Sequence, residues 1–149
     1  MDIRFTNENI FDVNAESIVY FTDNTLIGEE SNELIENAGE RVLETIQKLN
    51  GCPTGEVKII PGYNLKQNYV FLSVLPEKIE NEIEIELFKR IFNKLFKLAE
   101  EYKISSFAID VLYMQTMYGD DYLKLLNNVV RSADLKYDDY TIYMSKELN

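Results

Sequence analysis

The chain predicts an α/β domain of three layers, α/β/α, with helices on both faces of a mixed central sheet. Three observations lead there. Short apolar runs alternate with longer segments of helical period along the chain. Several of the short runs are apolar on both faces, the pattern of strands covered on two sides. The size is right as well: 149 residues with 46% hydrophobic content, including 10 Tyr and 8 Phe, supply one core, since about two-thirds of the unfolded surface is buried at this length. No internal repeat, low-complexity tract or Pro/Gly/Ser linker interrupts it, so one domain is expected over 1–149.

In chain order, Ile3 to Phe5 reads as a short strand and Ser17 to Thr22 as a buried one. From Ser31 to Leu49 the residues Leu34, Ile35, Ala38, Val42, Leu43, Ile46 and Leu49 keep helical spacing, which predicts one helix stopped by Asn50-Gly51. Glu56 to Ile60 and Tyr69 to Leu75 read as strands. Glu82 to Tyr102 is the clearest helix, its stripe running Phe88, Ile91, Phe92, Leu95, Phe96, Ala99 and Tyr102. Ser106 to Leu112 is another buried strand. Asp120 or Asp121 can cap a helix reaching about Asp134, with Leu123, Leu126, Val129 and Val130 inward. Tyr140 to Met144 closes the chain as a strand. In such sheets ligands sit beyond the carboxyl ends of the strands, which places the predicted loops Asp23 to Ser31 and Tyr113 to Asp121 around a crevice.

Composition removes whole classes of chemistry. With no histidine, Ser-His-Asp and Cys-His catalysis, His-ligated metals and imidazole acid–base work are excluded. The single cysteine, Cys52, allows no intrachain disulfide and has no positive neighbour to activate it. That usage, an N-terminus without signal-peptide features and the lack of a long apolar run predict a cytoplasmic protein that neither spans nor binds a membrane. A net charge of −11 disfavours nucleic acid. Asp120-Asp121 and Asp138-Asp139 lack calcium-loop spacing, so neither a metal nor a cofactor is expected.

The most specific text runs from Gly51 to Pro76. It contains Cys52-Pro53-Thr54-Gly55-Glu56-Val57, then Gly62-Tyr63-Asn64-Leu65, then Val70-Phe71-Leu72-Ser73-Val74-Leu75-Pro76. Turn chemistry and strand pattern agree over two dozen residues. The segment resembles the centre of macro domains, modules that bind ADP-ribose and related nucleotides, and the likeness extends from about Ile3 to Met144. Physically the motif is scaffold, relaxing the backbone at Gly55 and Gly62.

The resemblance implies four ligand segments, each altered here. Where the family has Gly-Asp-Ile, with the Asp accepting from the adenine amino group, this chain has Glu8-Asn9-Ile10. Asn9 is either a weaker, neutral acceptor or simply a turn residue. Where the family's strand ends in small residues and a ribose-holding Asn, this chain has Tyr20-Phe21-Thr22-Asp23 and then Asn24. Asp23, or Asn24 after a one-residue shift, could take the ribose, or the pair could just end the strand. The family's run of glycines around the diphosphate is reduced to Ile27-Gly28-Glu29-Glu30-Ser31. One carboxylate at 4 Å from a phosphate charge costs about 4 kcal/mol at an effective dielectric of about 20 unless it turns outward. The alternative role for Glu29 and Glu30 is favourable pairing with a helix N-terminus. The closing loop keeps Met117-Tyr118-Gly119 but loses its upstream Ser and Gly, and Tyr118 could lie over a ribose.

Three functions follow from the resemblance. The first is a divergent binder of ADP-ribose or a related nucleotide, weak or altered in specificity, through Asn9, Ile10, Asp23, Asn24, Gly28, Met117, Tyr118 and Gly119. The second is a ligand-free regulatory or interaction domain with a protein partner or as a homodimer. The third is an ADP-ribosyl hydrolase or O-acetyl-ADP-ribose deacetylase. Because that chemistry needs the Asn and the Gly-rich loop, the reading leans against an enzyme, and no catalytic residue is named.

Overall fold

The computed structural model describes residues 1–134 and 136–146, so 135 and 147–149 of the expected 1–149 domain lie outside the described residues. Six strands form one sheet: β1 Asp2–Thr6, β2 Ser17–Phe21, β3 Val57–Pro61, β4 Tyr69–Ser73, β5 Ser106–Asp110 and β6 Thr141–Ser145. Their spatial order is β1-β6-β5-β2-β4-β3. All neighbours are parallel except β3, which runs antiparallel to β4 at one edge. The mixed sheet expected from the sequence is present.

Alternation along each strand feeds two cores. In β2, Ile18 and Tyr20 face one side, with α1 (Asn32–Ala38) and α2 (Glu40–Leu49), contributing Leu34, Ala38, Val42 and Ile46. Val19 and Phe21 face the other, with α3 (Glu82–Tyr102), α4 (Val111–Tyr118) and α5 (Tyr122–Asp134). Phe88, Ile91, Phe92, Leu95, Phe96 and Ala99 of α3 are all buried there, so the apolar stripe reads correctly, apart from Tyr102 at its exposed end. Buried on both faces, β2 needs apolar residues at every position and has them at four of five.

Three expectations are corrected. The single helix over Ser31 to Leu49 is two helices, broken at Gly39 with φ +98°. The Gly62-Tyr63-Asn64 turn seats against that break: Asn64 N–H donates to Ala38 C=O at 3.1 Å, and a Cβ on Gly39 would lie 2.6 Å from Asn64 Nδ2. Tyr63 locks the turn to α2 through Thr45 and through the Arg41 guanidinium, 4.8 Å from its ring centre. Second, β5 stops at Asp110, and the expected loop from Tyr113 is the helix α4. Asp110 caps it by accepting from Tyr113 N–H at 3.2 Å. A short run without apolar periodicity concealed that helix. Third, Leu123 is 39% exposed rather than inward, because a 3₁₀ turn over Gly119–Asp121 sets the phase of α5 and buries Tyr122 instead.

Candidate functional site

A cleft opens where the topology reverses direction. β2 pairs with β4 along its whole length but with β5 only over Ser17–Val19, opposite Phe107–Ile109. Beyond Val19 and Ile109 the two strands part, and the carboxyl ends of β2, β4 and β5 border a cavity of about 550 Å³. A volume of that size suits a ligand of nucleoside or nucleotide dimensions. β2 and the turn after it contribute Thr22, Asp23, Asn24 and Glu30. Val74, Leu75 and Glu77 follow β4, and Asp110, Leu112, Tyr113, Thr116 and Met117 come from the β5–α4 side, with Thr54 at the rim.

The turn after β2 is built around Asp23. Its Oδ1 accepts from Thr25 N–H, Thr25 Oγ1 and Leu26 N–H at 3.0, 2.6 and 3.0 Å. That arrangement lets Leu26 hold φ +66° with its side chain fully buried. The other carboxylate oxygen lies against Gly28, where a Cβ would come within 1.7 Å of it. Any side chain at Gly28 would displace that carboxylate, and Gly28 heads the 3₁₀ turn Glu29–Ser31. Asn24 uses its amide donors on Cys52 C=O and Thr54 Oγ1, at 2.9 and 3.2 Å, fastening this turn to the Gly51–Gly55 segment. Beneath it, Thr22 and Ser31 share a buried hydroxyl hydrogen bond of 2.8 Å.

Two tyrosines hold Glu30. Tyr20 Oη donates to its carbonyl at 2.6 Å, and Tyr113 Oη donates to its carboxylate at 2.7 Å. Tyr113 also stacks on Phe21, ring centres 5.7 Å apart. The Glu30–Tyr113 bond spans the gap between the turn after β2 and α4. It separates the main cleft from a smaller cavity of about 140 Å³ lined by Tyr20, Phe21, Glu33 and the bridge itself. Burial, then the Glu30 hydrogen bond, pushes the Tyr113 hydroxyl well above the usual phenol range. Burial, with the Glu33 charge second, raises Tyr20 to about 12. Both stay protonated donors at neutral pH.

The residues named from the sequence divide between two places and more. Asp23, Asn24 and Met117 line the main cleft together. Asn9 caps the 3₁₀ turn Ile10–Asp12, accepting from Phe11 N–H at 3.0 Å, and Ile10 is buried in the core beside it. Tyr118 turns to the other side of α4, donating to Pro76 C=O at 2.6 Å, and lines a separate groove with Ile79, Ile85, Lys124 and Leu125. Burial raises its pKa strongly as well. Gly119 holds φ +66° with open space around it. Sequence reasoning missed Tyr113, Asp110 and Glu77. The first two lay in a segment read as strand end and loop, and Glu77 only enters the cleft because β4 ends beside it. Among the described residues, no group of His, Cys, Asp or Glu is arranged to hold a metal, and no helix is long and apolar enough to cross a membrane.

A family model described as "Macro domain" matches residues 23–118. A macro domain-containing protein of Methanosarcina mazei is 35% identical over 113 residues, covering 74% of this chain and 60% of that protein. Ganglioside-induced differentiation-associated protein 2 of Xenopus laevis is 30% identical over 108 residues, 69% of this chain but only 22% of that protein. The chain thus spans less than two-thirds of either relative. Among solved structures, the macro domain of ganglioside-induced differentiation-associated protein 2 superposes with a TM-score of 0.86 at 20% identity, covering 98% of this chain and 77% of the other. The Trypanosoma brucei macrodomain in complex with ADP-ribose gives 0.83 at 18% identity, over 96% and 63%. At those identities the structural likeness speaks for the fold.

Proposed function

Because the chain belongs to the macro domain family, we propose that it is a binding module whose ligand occupies the cleft at the carboxyl ends of β2, β4 and β5. The ligand is nucleotide-related, and the specificity is shifted away from ADP-ribose itself. One observation carries this reading: the crevice is open, at about 550 Å³, while its lining carries four carboxylates and no lysine or arginine. A module that had lost its ligand would gain nothing by keeping such a cavity unfilled, and a module built for a diphosphate would not ring it with Asp23, Glu30, Glu77 and Asp110. Asp23, Asn24 and Met117 are the residues named from the sequence that this reading keeps at the ligand; Tyr113 joins them.

Isothermal titration with ADP-ribose tests it. Affinity in the high-micromolar to millimolar range is expected, whereas binding near 1 μM, about −8 kcal/mol, would show an unaltered specificity. A second reading, a ligand-free interaction domain, is favoured by one contact, the Glu30–Tyr113 bond across the gap. It predicts no heat with ADP-ribose or any nucleoside compound.

A further inference from the structure

We propose that the main cleft takes a phosphate-free ribonucleoside, and that the Glu30–Tyr113 bond closes the route by which a longer ligand would run into the smaller cavity. The inference rests on the binding reading above and names the chemical class of that ligand. Size comes first. The main cleft, at about 550 Å³, is large enough for a base and a ribose, whereas the compartment beyond the bridge, at about 140 Å³, falls below the range of small-molecule sites. A ligand running on past the bridge would have to place its far end in the smaller of these two compartments. A single nucleoside needs only the first.

Hydrogen-bonding chemistry comes second. Asp23, Glu77 and Asp110 line the cleft with carboxylates, which only accept at neutral pH; Asp23 and Asp110 already accept turn and cap bonds and act mainly through their charge. Asn24 has committed its amide donors to Cys52 and Thr54, so it too offers its oxygen. The Tyr113 hydroxyl, the obvious donor, is spent on Glu30. Such a wall suits a ligand rich in donors, as the two ribose hydroxyls and an exocyclic amine are. A phosphate brings only acceptors and negative charge; Thr54 and Thr116 hydroxyls could donate to it, but no lysine or arginine in the lining offers a counter-charge to offset the four carboxylates. From the same β4 and β5–α4 sides of the cleft as Glu77 and Asp110, Val74, Leu75, Leu112 and Met117 add apolar surface that suits the face of a base.

Calorimetric titration of the intact chain with adenosine and, separately, with ADP-ribose decides the matter. The expected result is that adenosine binds about tenfold or more tightly than ADP-ribose. Raising sodium chloride from 50 to 500 mM should strengthen ADP-ribose binding severalfold, since screening relieves repulsion. A variant carrying Glu30→Gln and Glu77→Gln, checked for folding by circular dichroism, should narrow the gap between the two ligands. Equal or tighter binding of ADP-ribose by the natural chain would overturn this inference while leaving a nucleotide-binding cleft intact. ADP-ribose affinity that falls with salt would do the same. Absence of heat with both ligands would overturn the inference together with the reading beneath it.

Discussion

Single side chains carry the turns that shape the cleft. A methyl group at Gly28 would have to push the Asp23 carboxylate, 1.7 Å from where a Cβ would stand, out of its bonds to Thr25 and Leu26. Gly28→Ala is therefore expected to destabilise the chain by about 1–3 kcal/mol. A urea midpoint within error of the natural chain would show that the turn shifts freely. Gln67 is the comparable residue in the core, 1% exposed, donating from Nε2 to the carbonyls of Ile10, Phe11 and Val13. Gln67→Leu strands the Phe11 carbonyl, while Ile10 and Val13 C=O keep the Val13 and Ala15 N–H groups, and it should cost about 1–3 kcal/mol, read as a lower melting temperature. Its own Oε1 has no protein partner, so part of the loss is offset. On the proposed reading, Glu30 acts on ligand choice rather than stability. Replacing Glu29 and Glu30 together by glycine removes two charges and frees Tyr113 from its bridge. ADP-ribose affinity should rise by about tenfold, ~1.4 kcal/mol, in a calorimetric titration; an unchanged value would mean that the carboxylates already point away from the ligand.

At the scale of elements, turn chemistry decided where helices break. The apolar spacing from Leu34 to Leu49 fits one helix, because a period of 3.6 carries on in phase across Gly39. What breaks it is the Asn64 turn arriving from later in the chain to bond Ala38, which no local pattern reports. Gly39→Ala should favour the continuous helix and unseat that turn, lowering stability by about 1–3 kcal/mol. The end of α3 makes the reverse case. Lys103 holds φ +59° in the left-handed region, where glycine is unstrained. Lys103→Gly should therefore raise stability by roughly 0.5–1 kcal/mol, visible as a shifted denaturant midpoint. The helix α4 escaped a sequence reading because Tyr113, Met114, Met117 and Tyr118 face different neighbours: Phe21, the core, the cleft and Pro76. A helix touched on all sides has no stripe to read.

Across the whole molecule, charge and buried phenols govern how conditions act. Each core contains a buried tyrosine held above its ordinary range: Tyr20 with α1 and α2, Tyr140 against α3, both at about 12 because burial disfavours the phenolate. In the unfolded chain they lose protons near pH 10, earlier than in the fold, so the unfolded state binds fewer protons above that pH. Their contribution is complete below pH 10 and disappears as pH climbs through about 12. Urea midpoints measured from pH 8 to 12 should be flat at first and then fall steeply; a flat profile throughout would contradict the burial of these hydroxyls. The net charge of −11 acts in parallel, and added salt should raise the melting temperature by screening self-repulsion.

The sequence by itself determined the layered fold, the order of the strands, the longest helix, the family and the acidic character of the loops around the cleft, since apolar period and turn residues are local properties. Asp23 and Asn24, just past a strand end the pattern reveals, line the cleft as the likeness to the family implied, and so does Met117, though from a helix the pattern did not show. Only the tertiary structure decided that Asn9 caps a turn, that Tyr118 leaves the cleft for Pro76, and that Tyr113 crosses to Glu30, 83 positions earlier in the chain. A helix rotated by a third of a turn exchanges which side chain meets the crevice. That rotation is fixed by packing against the sheet, which the spacing of residues along the chain does not encode.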